Sequence, residues 1–320
     1  MPNLSNDLCT PVSPTEIPVF FSTDDRYLPF LDIAIASLID HASPAYRYRL
    51  IVLNTGLSSN GVEKVLQRQT DRVAIEFVDI SKELEAIRAS LKDVYHFSIV
   101  TYYRLFIASL FPQYRKIVYL DSDLVLLGDV AELYNTDMAG AIIAAAPEQY
   151  VRNTPEFRLY AQKALNVNPD GYVNAGVLVI DLDKFRLHRI EETFIDLITR
   201  YDFDLLDPDQ AYLNYLCDGY IHVLPNGWNK EPLPLPLEGE LNLVHYALYK
   251  KPWQYDDVMY GEHFWRYAEA SPFYPEILRR RSSFGEEERA QKEAAATEIL
   301  DHALAIVASE ETFANRLQKK

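Results

Sequence analysis

The chain has 320 residues, 48% of them hydrophobic and 24% charged, a composition that supports a sizeable buried core and excludes disordered, fibrous and disulfide-stapled classes. Forty-seven acidic residues against thirty-one Lys plus Arg leave a net charge of -16, so the overall field repels nucleic-acid backbones and anionic lipid head groups. The two cysteines, Cys9 and Cys217, stand far apart, which argues against a disulfide framework or a cysteine zinc site and for a reducing, cytoplasmic compartment.

Residues 1–16 read as a polar, proline-bearing extension that lacks the basic start and apolar core of a signal peptide. The chain then alternates β-branched or aromatic apolar bursts with stretches of helical period, the pattern of a parallel sheet with crossover helices. Strands are expected over 17–22, 48–54, 73–79 and 116–120, and helices over 27–40, 58–69, 81–91 and 101–110. Later strands are expected over 138–146, 175–181 and 242–246, with helices over 187–200 and 207–217 and an irregular proline-rich loop over 225–236. The longest apolar runs, 30–39 and 139–146, fall short of the ~20 residues that a membrane helix needs. From Arg279 a basic triplet gives way to an acidic, alanine-rich stretch in which Ile299, Leu300, Ala303, Leu304, Ile306 and Val307 recur at helical spacing. The organisation expected is thus an α/β catalytic domain over 17–278 and a C-terminal helical appendage over 279–320.

Most apolar bursts are simply core. The chemistry is expected at their carboxyl ends, where open parallel sheets bind ligands, and two acidic segments fall there: Thr23-Asp24-Asp25 and Asp121-Ser122-Asp123. Residues two apart share a face only in an extended or turning backbone, so Asp121 and Asp123 can converge after the strand over 116–120. Two carboxylates ~4 Å apart repel by ~4 kcal/mol at an effective dielectric near 20, and a divalent cation relieves that. Oxygen ligands suit Mn²⁺ or Mg²⁺ and leave positions open for phosphate oxygens. A lone Asp-x-Asp is also common as a solvated loop, and its place behind a buried strand is what raises its interest. A second segment places His245 at the end of a short strand and Lys251-Pro-Trp253 in the turn that follows.

Together these segments resemble the family-eight retaining glycosyltransferases of GT-A fold, a Rossmann-like, mainly parallel sheet with flanking helices. The matching blocks are Phe20-Phe-Ser-Thr-Asp-Asp-Arg-Tyr27, His96-Phe-Ser-Ile-Val-Thr-Tyr-Tyr-Arg-Leu105, Tyr119-Leu-Asp-Ser-Asp123, Tyr172-Val-Asn-Ala-Gly-Val-Leu-Val-Ile180, Asp207-Pro-Asp-Gln210 and residues 245–253, in consistent order over about 17–270. The resemblance implies that Asp121, Asp123 and His245 ligate Mn²⁺ on the diphosphate of a UDP-sugar, UDP-glucose or UDP-galactose. It implies that Thr23, Asp24 and Tyr27, with Asp25 beside them, hold uracil and ribose and that Lys251 reaches a phosphate. Arg104, Ser122, Asn174 and Ala175 fall at donor or supporting positions, His96 near the sugar or acceptor, and Gln210 with Asp209 near the reacting carbon.

Leu248 stands where the family carries a glycine, so close approach of that backbone to the diphosphate is in question. The block after the strand over 138–146 reads Pro147-Glu148-Gln149, where galactosyl-transferring relatives tend to have a carboxylate poised on the sugar. The acceptor implied is a glycan, lipopolysaccharide or glycoprotein hydroxyl. The acidic C-terminal helix fits a solvated helix or a homodimer contact better than an anchor, with peripheral contact at the inner face of the membrane as the other option. Two rival readings use the same residues: a haloacid-dehalogenase-type phosphatase with Asp121 and Asp123, and a non-catalytic sugar-nucleotide-binding protein. The first is disfavoured by three strands preceding the motif, the second by Asp121, Asp123, His245, Lys251 and Gln210 occurring together. Neither a Gly-x-Gly-x-x-Gly nor a P-loop is present.

Overall fold

The computed structural model describes residues 15–85, 99–247 and 249–317. Among these residues nine strands alternate with helices: β1 (Glu16–Ser22), β2 (Arg47–Asn54), β3 (Val73–Asp79), β4 (Lys116–Leu120), β5 (Leu124–Leu126), β6 (Ile143–Pro147), β7 (Val173–Asp181), β8 (Ile221–Val223) and β9 (Leu243–His245). Seven form one sheet in the order β3-β2-β1-β4-β7-β6-β8, and β5 pairs with β9 in a separate ribbon. All neighbours in the large sheet run parallel except β7, which is antiparallel to both β4 and β6. The fold is therefore α/β, as the alternation predicts.

The central strands are covered on both faces, which is why β1 and β4 read as nearly unbroken apolar runs. Their side chains alternate between two core layers. Phe20, Ile51, Leu53, Ile117 and Tyr119 pack on one face, and Val19, Phe21, Leu50, Val52, Val118 and Leu120 on the other. The chain winds from β1 out to β3 and returns to β4 on the other side of β1, so a topological switch point opens between the carboxyl ends of β1 and β4. Antiparallel β7 brings its first residues to that same end, because Leu120 pairs with Val177 and the Asp121 amide donates to Gly176.

Several elements differ from expectation for local reasons. The strand expected from 138 begins at Ile143, because Ala139 and Gly140 adopt positive φ (47° and 89°) in a turn. The helix expected over 101–110 is a three-ten helix, Ile99–Phe106, followed by one α-turn, Ile107–Leu110; its β-branched and aromatic opening disfavours α geometry. The loop over 225–236 is not all surface: Asn229, Lys230 and Glu231 are fully buried. The composition shift at Arg279 falls inside a helix, Tyr274–Ser283. The next helix, Glu286–Ala308, sends Ala303 and Ile306 into the core beside Phe313, so the far end of the appendage is packed rather than solvated.

Candidate functional site

A cavity of about 610 Å³ opens at the switch point. Its walls come from the ends of β1 and β4, the start of β7, the segments after β6 and β9, and the helix that begins at Pro208.

At one end lies an acidic corner. Asp121 follows β4 and Asp123 precedes β5, and pairing of β5 with β9 sets Leu124 opposite His245 while the Tyr246 amide donates to the Asp123 carbonyl. Ligand atoms of Asp121, Asp123 and His245 all lie within 4.8 Å of one another. His245 Nε2 is 3.2 Å from Asp123 and 3.7 Å from Asp121, and Nδ1 is 2.9 Å from Asn229 Oδ1. With the Nδ1 proton donated to Asn229, the Nε2 lone pair faces two carboxylates, an arrangement that a cation resolves. This donor set, one imidazole nitrogen and two carboxylates, fits a divalent ion. Gly176 makes the corner possible: a Cβ there would lie 2.1 Å from His245 Cε1 and 2.7 Å from Asp121 Oδ2.

Positive charge rims the acids. The Lys251 ammonium, expected at a phosphate, is instead 2.7 Å from Asp123 Oδ2 and also donates to the Tyr246 carbonyl. Burial pushes the Asp123 carboxyl up, but Lys251 and His245 more than offset this and hold it well below the usual range. Burial likewise pushes Lys251 down, and Asp123 reverses it, so the ammonium stays charged. Arg104, stacked 4.4 Å over the Tyr119 ring, donates to Asp121 at 2.7 Å and to the Ala175 carbonyl, and pairs with Asp209 at 3.1 Å. Asp209 is nonetheless raised, because its burial outweighs Arg104.

The opposite end is a polar network that composition alone does not reveal. Gln210 accepts from the Ala175 amide at 2.9 Å and donates to Asp207 at 2.6 Å. Asp207 also accepts from Tyr172 at 2.6 Å and Tyr160 at 3.3 Å; burial raises it to about 7 against those bonds. Asn174 donates to Glu148 at 2.7 Å and accepts from Asn229 at 2.8 Å, so one chain of hydrogen bonds runs Glu148–Asn174–Asn229–His245 and ties the two ends of the cavity together. Glu231 is fully buried, accepts from the Gln149 amide at 3.1 Å, and is pushed well up by burial and by Glu148.

Thr23, Asp24, Tyr27, Arg104, Ser122, Asn174, Ala175, Asp209, Gln210 and Lys251 all line this cavity, as do the three candidate ligands. Asp25 does not: its carboxylate accepts from the Ser58 amide and hydroxyl at the start of a helix, at 2.9 and 2.8 Å. His96 and Leu248 lie outside the described residues. Sequence reasoning missed Asp207, which lines the cavity and holds Gln210, Asn229, which reaches the site through the His245 ring, and Glu231, which sits in a loop expected to be irregular. It also missed Phe284, Glu288 and Lys292 of the C-terminal region, which line the cavity.

Among known proteins, the sequence profile of Glycosyl transferase family 8 matches residues 18–257, and the chain belongs to that family. The chain is 27% identical to glycosyltransferase GlyF of Streptococcus pneumoniae over 288 residues, covering 86% of this chain and 66% of the relative. It is 25% identical to lipopolysaccharide 1,2-glucosyltransferase of Escherichia coli over 254 residues, covering 73% and 72%. Among solved structures, an active-site mutant of LgtC superposes with a TM-score of 0.69 at 24% identity, over 83% of this chain and all of that one. The bifunctional glycosyltransferase WbbM superposes with a TM-score of 0.74 at 25% identity, over 86% of this chain and 53% of that one. The fold is GT-A, and the protein is a glycosyltransferase. Membership displaces the phosphatase reading. Among the described residues no helix is long and apolar enough to cross a membrane.

Proposed function

We propose that the protein is a metal-dependent, retaining hexosyltransferase that moves glucose or galactose from UDP to a hydroxyl of a glycan, lipopolysaccharide or glycoprotein acceptor. The observation that carries this reading is the convergence of Asp121, Asp123 and His245 beside Lys251 at the carboxyl ends of β1 and β4. Mn²⁺, with Mg²⁺ as the alternative, would be held by those three side chains and would neutralise the diphosphate as the sugar departs. Thr23, Asp24 and Tyr27 fit uracil and ribose, and Lys251, released from Asp123 as the cation takes over that carboxylate, would meet a phosphate.

Cleavage leaves negative charge on UDP and positive charge on the anomeric carbon. The residues at the sugar end do not suit a covalent intermediate: Gln210 carries an amide, with its oxygen held by Ala175 and its nitrogen by Asp207, and Asp209 is locked on Arg104. Front-face attack, with the leaving phosphate accepting the acceptor's proton, suits them better. In this reading Glu148 and the Gln210 oxygen would stabilise the positive sugar, with Asp207 and Asn174 holding those two groups. Hydrolysis of a panel of UDP-sugars with Mn²⁺ tests this without an acceptor. Slow, metal-dependent release of UDP from a hexose donor is expected. Absence of turnover with tight UDP binding would favour a non-catalytic binding protein.

A further inference from the structure

The helix Glu286–Ala308 is the longest element among the described residues, ~34 Å at 1.5 Å per residue, and its first turns line the cavity. Both ends are tied down. Near its start, Phe284 packs 5.1 Å from the Tyr255 ring and the Arg289 guanidinium lies 5.0 Å over that ring. At its far end Ala303 and Ile306 are buried, and Phe313 just beyond packs on Phe203, Tyr212 and Tyr215. A helix fixed at both ends presents its inner face rigidly. That face carries Glu288 and Lys292, one turn apart, and both line the cavity together with Lys251 and Gln254.

Lys292 differs from the other cations at this cavity. Lys251 is matched by Asp123, Arg104 by Asp121 and Asp209, and Arg280 by Glu276. The Lys292 ammonium donates to a neutral amide oxygen, Gln254 Oε1, at 3.0 Å, and no carboxylate lies within ion-pair distance of it among the described residues. Burial and the neighbouring Lys251 both push its pKa down, with Glu288 giving partial relief, so an incoming anion would stabilise it. In a molecule of net charge -16, an ammonium without a carboxylate partner beside a second one at the same cavity favours an anion there.

We propose that Lys292 binds the diphosphate of the donor, so that the C-terminal helix is a wall of the nucleotide site. This rests on the sugar-nucleotide reading above. A phosphate contact from a half-exposed ammonium corresponds to roughly a tenfold change in affinity. The test compares UDP with uridine, each titrated in the presence of Mn²⁺ into the full chain, its Lys292→Met variant and its Lys292→Arg variant. Lys292→Met should weaken UDP binding roughly tenfold and leave uridine binding unchanged, and Lys292→Arg should restore most of the UDP affinity. UDP binding by Lys292→Met within twofold of the parent overturns the proposal, as does equal weakening of UDP and uridine, which would mark a merely structural role. Failure of the unaltered chain to bind UDP at all would be a different result, and it would remove the underlying reading along with this one.

Discussion

Gly176→Ala is the smallest substitution that should dismantle the acidic corner. The added methyl would sit 2.1 Å from His245 Cε1 and 2.7 Å from Asp121 Oδ2, against the ~3.5–4.0 Å at which such atoms normally rest. Relief needs a shift of well over 1 Å. The imidazole has nowhere to go cheaply: it is buried, and its Nδ1 is bound to Asn229 at 2.9 Å. Moving it breaks that bond and separates Nε2 from Asp123, now 3.2 Å away. Overpacking of this kind costs ~1–3 kcal/mol of stability, and displacing a ligand's supporting bonds typically costs 10–100-fold in metal affinity. Mn²⁺ titration followed by electron paramagnetic resonance, with thermal unfolding alongside, reads both effects. Affinity within twofold of the parent, even at a lowered Tm, would show that His245 and Asp121 do not grip the metal.

Other perturbations probe the rest of the cavity. Gln210→Ala should lower kcat roughly 10- to 100-fold in the UDP-sugar assay while UDP affinity stays nearly constant, because its bonds lie at the end of the cavity opposite the acidic corner; an unchanged kcat would dissociate Gln210 from the reaction. Asn229→Ala leaves His245 Nδ1 without a partner and Asn174 Oδ1 with the Gly176 amide alone, costing ~1–3 kcal/mol in denaturant unfolding and weakening Mn²⁺ binding, whereas a loss confined to stability would limit Asn229 to the fold. Asp207 carries the pH signature. Burial raises its pKa from the ordinary carboxylate range to about 7, so the folded state holds a proton the unfolded chain has released, and stability falls by up to about 1.4 kcal/mol per pH unit between about pH 4 and 7, then levels. Asp207→Asn should flatten that slope in unfolding midpoints measured across this range; parallel profiles for parent and variant would refute the assignment.

The acidic corner was legible because its logic is local. Asp121 and Asp123 sit one residue apart behind an apolar strand, and the sheet topology follows from alternating periods. His245 emerged only through family resemblance, since no spacing rule predicts that a three-residue strand after position 242 will pair with Leu124–Leu126. The opposite end of the cavity was less visible. Glu148, Asn174 and Gln210 come from three segments united by the antiparallel insertion of β7, and a reading of parallel crossovers does not foresee a strand arriving in reverse with its first residues at the site. Asn229 and Glu231 were hidden by proline-rich surroundings that read as surface, although Asn229, Lys230 and Glu231 themselves are buried. Asp25 shows the converse: beside Asp24, which lines the cavity, it points away, because consecutive residues after a strand diverge and Ser58 offers it two donors.

The most direct measurement is Mn²⁺ binding in the presence and absence of UDP for the parent chain and Asp123→Asn. The account predicts that UDP tightens Mn²⁺ binding in the parent, that the variant loses both the metal and the UDP effect, and that Mn²⁺-dependent UDP-sugar turnover disappears with them. Full metal binding and turnover by Asp123→Asn would contradict it.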